Sequence, residues 1–120
     1  MTKTEKTKRY DLEDRTLAFS KQVRAFVKKL PKTLANIEDA KQLIKASGSV
    51  GANYIEANEA LSKKDFVLRV KICRKEAKES KYWLTLLQLE NEDVDKKRLL
   101  LVNESTELTK IFGAIIEKSK

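Results

Sequence analysis

SKKDFVLRVKICRKEAKESKYW, residues 62–83, decides the fold, because its apolar and basic side chains recur with the period of an α-helix. At about 100° per residue, one narrow face collects apolar or small side chains: Phe66, Val70, Cys73, Ala77, Ser80, Leu84 and Leu87. The side chains opposite are basic: Lys64, Lys71, Arg74, Lys75, Lys78 and Lys81. The pattern predicts a long helix that buries one face and offers a row of cations to something outside the domain.

Composition extends this helical reading to the whole chain. The 120 residues favour a single domain, and 41% apolar with 37% charged residues, three Gly and one Pro are typical of a long-helix protein. A net charge of +8 favours an anionic partner, although solubility alone accounts for part of such an excess.

The expected compartment is the cytoplasm. Cys73 is the single cysteine, so no intramolecular disulfide can form, and its place on the apolar face predicts a buried thiol. Residues 1–14 lack the apolar run of a secretory signal, and no stretch of about 18 apolar residues suggests a membrane span. We therefore expect a soluble, unexported protein without a membrane partner.

Four helices with short breaks predict an all-α, antiparallel up-down-up-down four-helix bundle. A flexible basic arm (1–10) precedes the single bundle domain (11–120). Asn36 and Ser62 are the predicted N-caps of the second and third helices. The predicted helices span about 11–29, 36–60, 62–90 and 93–117. Ser47 and Gly51, one turn apart inside the second helix, predict close approach of a neighbouring helix.

Two groups of cations are candidate nucleic-acid contacts. The first basic face, on the first helix, consists of Lys21, Arg24 and Lys28. The second basic face, on the third helix, consists of Lys71, Arg74, Lys75, Lys78 and Lys81. Few acidic residues interrupt either face, which favours phosphate binding over the alternative of a merely solvated surface.

The third helix carries a further apolar group, the outer strip, outside its core face. It comprises Leu68, Ile72, Trp83 and Leu86, together with Glu79. Large apolar residues there predict a subunit interface, in preference to base stacking by Tyr82 and Trp83. Glu79 and the neighbouring Glu76 are expected to pair with Lys or Arg across a helix or subunit boundary.

Asn53 and Glu56 predict a buried polar network with Arg69 or Lys75; the alternative is surface exposure of Glu56. Reading Glu56 and Glu59 as catalytic carboxylates is much less favoured, because helices readily place acids three residues apart. Histidine is absent, as are a GK[ST] phosphate loop and a cysteine cluster. We expect no enzyme activity, no catalytic residue, no cofactor and no metal site.

Residues 40–87 resemble the four-helix-bundle family named for proteins encoded in intervening sequences of bacterial 23S ribosomal RNA genes. Its pattern S-[IV]-x-x-N-x-x-E-A is matched by Ser49, Val50, Asn53, Glu56 and Ala57. Its second pattern is matched by Lys63, Asp65, Phe66, Lys75, Glu76, Ala77, Glu79, Tyr82, Trp83 and Leu84. Cys73 stands where the family usually has a small residue such as alanine.

The resemblance implies a bacterial homo-oligomer, a ring-like pentamer, whose motif residues Asn53, Glu56 and Glu76 are structural. Related bundles are accessory factors of reverse transcriptases in diversity-generating retroelements. The sequence therefore predicts an oligomeric bundle that binds nucleic acid without base specificity, RNA being favoured over DNA. The alternative is an interaction scaffold that recruits a partner enzyme such as a reverse transcriptase.

Overall fold

The computed structural model describes the backbone of residues 3–120 and the side chains of residues 12–120. Four helices follow one another: α1 (Lys3–Val27), α2 (Leu34–Asn58), α3 (Lys63–Leu86) and α4 (Glu92–Lys118). The described residues contain no strand. Because only short turns join the helices, successive helices run antiparallel, and the predicted four-helix bundle is confirmed.

The helix order places α1 and α3 at diagonally opposite corners of the bundle. α2 packs against α1 and α3, and α4 packs against the same two helices. Over the described residues, α1 and α3 are not neighbours in the bundle, since no Cα atom of one lies within 8 Å of a Cα atom of the other. The first and second basic faces therefore belong to helices that the core separates.

The core consists of the apolar faces that the helical period predicts. Val70, Cys73, Ala77 and Leu84 of α3 are fully buried, and Phe112 of α4 packs with them. Burial raises the pKa of the Cys73 thiol to about 12, so the group stays protonated and acts as a small apolar side chain. The prediction of a buried thiol is confirmed.

Two helix starts differ from the predicted ones. α1 begins at Lys3 instead of residue 11, since residues 3–10 contain neither Gly nor Pro to stop the helix. Of the predicted arm, Met1 and Thr2 lie outside the described residues, and its flexibility stays a prediction. α2 is capped by Thr33, whose hydroxyl accepts a hydrogen bond from the Asn36 N–H at 3.1 Å.

Asn36 is therefore not the N-cap of α2, and the prediction was wrong. Its side chain is buried and reaches the turn between α3 and α4, where it bonds both the N–H and the C=O of Gln88. These contacts hold Gln88 outside the helix, so α3 ends at Leu86 and not near residue 90. The predicted cap at Ser62 is confirmed, because its hydroxyl accepts from the Asp65 N–H.

None of the four helices, as far as the chain is described, has an apolar stretch that could cross a bilayer.

Gly51 marks a close approach of α1 to α2. A Cβ atom at Gly51 would lie 3.0 Å from Thr16 Oγ1, whereas one at Gly113 of α4 would meet nothing within 4 Å. We expect Gly51→Ala to lower the free energy of unfolding by about 1 to 2 kcal/mol, since overpacking outweighs the better helix propensity. Gly113→Ala should raise it by up to about 1 kcal/mol. Urea unfolding of both variants tests this; a stabilised Gly51→Ala would contradict the close approach.

Candidate nucleic-acid and subunit interfaces

The second basic face lies along the outer side of α3. Lys71, Lys75, Lys78 and Lys81 are exposed, and Arg74 is half-buried. Lys75 Nζ lies 4.0 Å from a carboxylate oxygen of Glu76. Among residues 12–120, the other four cations form no ion pair. Four of the five cations of this face thus have no carboxylate partner among residues 12–120.

The first basic face lies on α1, and its three cations are exposed. Arg24 donates a hydrogen bond to the Ser20 hydroxyl one turn earlier. Its Nη2 atom also lies 3.9 Å from the position that a Cβ of Gly48 would take, so Arg24 lies across the seam between α1 and α2. Lys21 and Lys28 form no ion pair within the described part of the chain.

The structure does not bring the two faces together. Because α1 and α3 occupy opposite corners of the bundle, one straight nucleic-acid segment cannot lie along both faces of one chain. Each face is a separate short strip, and the second one carries more free charge.

The outer strip forms a partly exposed apolar surface on α3. The side chains of Leu68 and Leu86 are 55% and 43% exposed, while Ile72 and Trp83 are half-buried. Trp83 packs partly against the core, and its ring meets Tyr82 edge to face, with centroids 5.1 Å apart. Glu79 is exposed. The strip therefore places apolar side chains in solvent, next to the second basic face.

A polar contact joins α2 to α3 beside the core. Arg69 Nη1 donates to Asn53 Oδ1 at 3.0 Å, and Asn53 Nδ2 donates to the Ser49 C=O at 2.9 Å. The predicted pairing of Asn53 with Arg69 is present. Glu56 is exposed and takes no part in it, so the alternative prediction for Glu56 is correct.

Glu76 lies on the same side of α3 as Arg69 and faces α2. Its side chain is only 17% exposed, and burial together with the charge of Glu79 raises the pKa of its carboxyl. Lys75 and Lys45 of α2 act in the opposite direction. The cations near Glu76 therefore come from its own helix and from α2 of the same chain.

Several contacts between helices could not be predicted from the sequence. Arg15 binds Glu104 of α4 through two hydrogen bonds of 2.7 and 2.8 Å, across 89 positions of the chain. Asn58 Nδ2 donates to a carboxylate oxygen of Glu13 at 2.7 Å. These pairs fix α1 against α4 and α2, and only the three-dimensional arrangement identifies the partners. No group of His, Cys, Asp and Glu in the described residues could hold a metal ion.

Comparison with known proteins adds the family context. The family described as 23S rRNA-intervening sequence protein matches residues 8–114. A crystal structure of a protein of unknown function from the S23 ribosomal protein family of Bacteroides thetaiotaomicron is similar, with a TM-score of 0.75 and 32% identity. The match covers 87% of this chain and 96% of that one. No functionally curated protein matches the sequence.

Proposed function

Since the chain belongs to the family of 23S rRNA-intervening sequence proteins, we propose that it is a non-enzymatic homo-oligomer, a pentamer, that binds nucleic acid, foremost RNA. The observation that carries this proposal is the second basic face, where four exposed or half-exposed cations lack a carboxylate partner in the described chain. The first basic face supplies a second, weaker contact.

The spacing of the second basic face suits a phosphate backbone. Lys71 and Lys81 are ten residues apart, which corresponds to about 15 Å along a helix. Phosphates of one strand are spaced by about 3.4 Å along the axis of a duplex, so this face spans roughly four of them. Each neutralised phosphate releases a counterion, and this release drives binding at low salt.

The proposed binding is independent of base sequence. Contacts to phosphates position a nucleic acid without reading it, because sequence is read at the base edges. The rings of Tyr82 and Trp83 contact each other, and Trp83 packs partly against the core. Both contacts favour a packing role over base stacking. The 2′-hydroxyl is the group that can separate RNA from DNA on such a surface.

Reversing two charges of the second basic face should weaken RNA binding. Lys71→Glu with Lys78→Glu is expected to reduce the slope of log K against log salt by roughly 1.5, because two phosphate contacts are lost. Affinity at low salt should fall by more than tenfold. Filter binding of a single-stranded RNA over a salt series measures both quantities. Arg74 is unsuitable for this test, since its half-buried side chain could affect folding.

The matched control is Lys96→Glu with Lys118→Glu on α4, where both side chains are exposed. Each Lys→Glu replacement lowers the net charge by two units, so each double variant lowers the net charge of the chain from +8 to +4. The control should retain most of the affinity. Equal weakening by the two double variants would mean that only net charge matters, and would contradict a contact along α3.

The outer strip favours a second candidate function, that of a scaffold whose assembled ring recruits a partner enzyme such as a reverse transcriptase. The observation behind it is the outer strip, where Leu68 and Leu86 are exposed, since exposed apolar surface often marks a protein contact. The two functions separate in the salt titration. A protein that acts only as a scaffold would not bind RNA at any salt concentration. The charge reversals would not change its recruitment of the partner enzyme.

A further inference from the structure

A groove between the C-terminal part of α1 and the N-terminal part of α4 has no role in the proposed function. It encloses a cavity of about 280 Å³, and most of its surface is apolar. Leu100 stands at its edge with 69% of the residue exposed, whereas Phe26 is buried. The apolar lining consists of Ala25, Phe26, Leu100 and Leu101.

Two lysines line the same groove: Lys29 follows the end of α1, and Lys97 belongs to α4. The neighbouring Lys97 lowers the pKa of Lys29, because two positive charges at the same groove repel each other. Neither amine forms an ion pair with any carboxylate of residues 12–120. Two cations thus line an apolar groove and have no carboxylate partner among residues 12–120.

We propose that this groove binds a small aliphatic carboxylate, whose head lies between Lys29 and Lys97 and whose chain lies along Phe26 and Leu100. A carboxylate has two oxygens, and each can accept a hydrogen bond from one of the two amines. An anion at this position also removes the repulsion between the lysines. The apolar lining explains why the ligand needs a hydrocarbon part.

The dimensions favour a small molecule over a partner helix. The groove follows α1 from residue 22 to its end at Val27, which corresponds to about 8 Å at the helical rise, and continues to Lys29 in the turn that follows. An α-helix with its side chains is about 10 to 12 Å wide, so it cannot enter a cavity of about 280 Å³. The volume lies just below the range of about 300 to 1,000 Å³ that is typical of drug-sized ligands, which indicates a short chain. A nucleic acid would place phosphates on an apolar lining and gain little there.

Titration with decanoate tests the proposal on the full-length protein. Methyl NMR signals of Leu100 and Leu101 should shift and saturate at one decanoate per chain, with a Kd below about 1 mM. Two control compounds should bind at least tenfold more weakly than decanoate. Decyltrimethylammonium has the same chain and the opposite charge, and acetate has the carboxylate head alone. Decyl phosphate tests the head group, and tenfold tighter binding of decyl phosphate would contradict a carboxylate site.

Variants separate the site from general adsorption. Lys29→Gln with Lys97→Gln should weaken decanoate binding by at least tenfold, while Lys96→Gln with Lys118→Gln should not change it. All four side chains are exposed, so each variant is expected to fold. Equal binding of decanoate and decyltrimethylammonium, or no saturation by decanoate, would overturn the proposal. The proposal would also be overturned if the double variant Lys29→Gln with Lys97→Gln sedimented differently from wild type, because the groove would then lie between copies of the chain. RNA binding is not a readout here, so the two proposals fail independently.

Discussion

Replacing Asn36 by alanine should lower the free energy of unfolding by about 3 kcal/mol, since it removes three hydrogen bonds that this buried side chain makes to main-chain groups. Asn36 is 2% exposed. Its Nδ2 atom donates to the C=O of Pro31 at 3.0 Å and to the C=O of Gln88 at 2.8 Å. Its Oδ1 atom accepts from the N–H of Gln88 at 2.9 Å. One side chain therefore joins the turn before α2 to the turn before α4.

Asn36→Asp refines the prediction, because a carboxylate retains the acceptor for the Gln88 N–H but cannot donate to the two carbonyls. We expect Asn36→Asp to be destabilised at neutral pH, where the carboxylate faces two carbonyl oxygens, and to recover part of the loss when acid protonates it.

The measurement is urea unfolding, with Asn103→Ala as the control. Asn103 is exposed on α4, and its replacement should change stability by less than about 0.5 kcal/mol. If Asn36→Ala lowers the free energy of unfolding no more than the control does, the two turns keep their positions without the Asn36 side chain.

Asn36 also shows where sequence reasoning ends. An asparagine followed by Glu38 and Asp39 has the local pattern of an N-cap, and the pattern contains nothing about Gln88, which lies 52 positions further along the chain. Thr33, three residues earlier, is also of a type that caps helices, and it is the cap that the structure uses. The period of the apolar residues predicted the four helices and their buried faces, because that period depends on local geometry alone.

The candidate sites divide in the same way. Exposure of Lys71 and Lys78 follows from their helical positions, and so does exposure of Leu68. The separation of the two basic faces does not follow from either helix, since it depends on which helices are neighbours in the bundle. Lys29 and Lys97 are each ordinary surface lysines in the sequence, and only the packing of α1 beside α4 makes them a pair.

The outer strip yields the other large effect: Leu68→Asp with Leu86→Asp should convert the proposed oligomer into a monomer. The two side chains are 55% and 43% exposed, so they contribute little to the core of the protomer. They lie 18 residues apart, about 27 Å along α3, which is long enough for a subunit contact. Burying two carboxylates without partners there would cost several kcal/mol, more than most interfaces can offset.

Sedimentation velocity of wild type and variant measures this effect, and urea unfolding tests the protomer. Leu34→Asp with Leu61→Asp is the matched control, because these residues are 81% and 99% exposed and lie outside the strip. The control makes the same change of charge and should sediment like wild type. Trp83→Ala is less informative, since Trp83 packs partly on the core and its loss destabilises the protomer in any case.

The outcome also connects assembly to RNA binding. A ring presents several copies of the second basic face at once, and binding through several copies can exceed the affinity of a single copy by about 10² or more. If the monomeric variant keeps its fold, we expect it to bind RNA far more weakly than wild type, although its lysines are unchanged. An unchanged sedimentation of Leu68→Asp with Leu86→Asp would instead place the subunit contact on another face. A monomeric wild type would refute the proposed assembly itself.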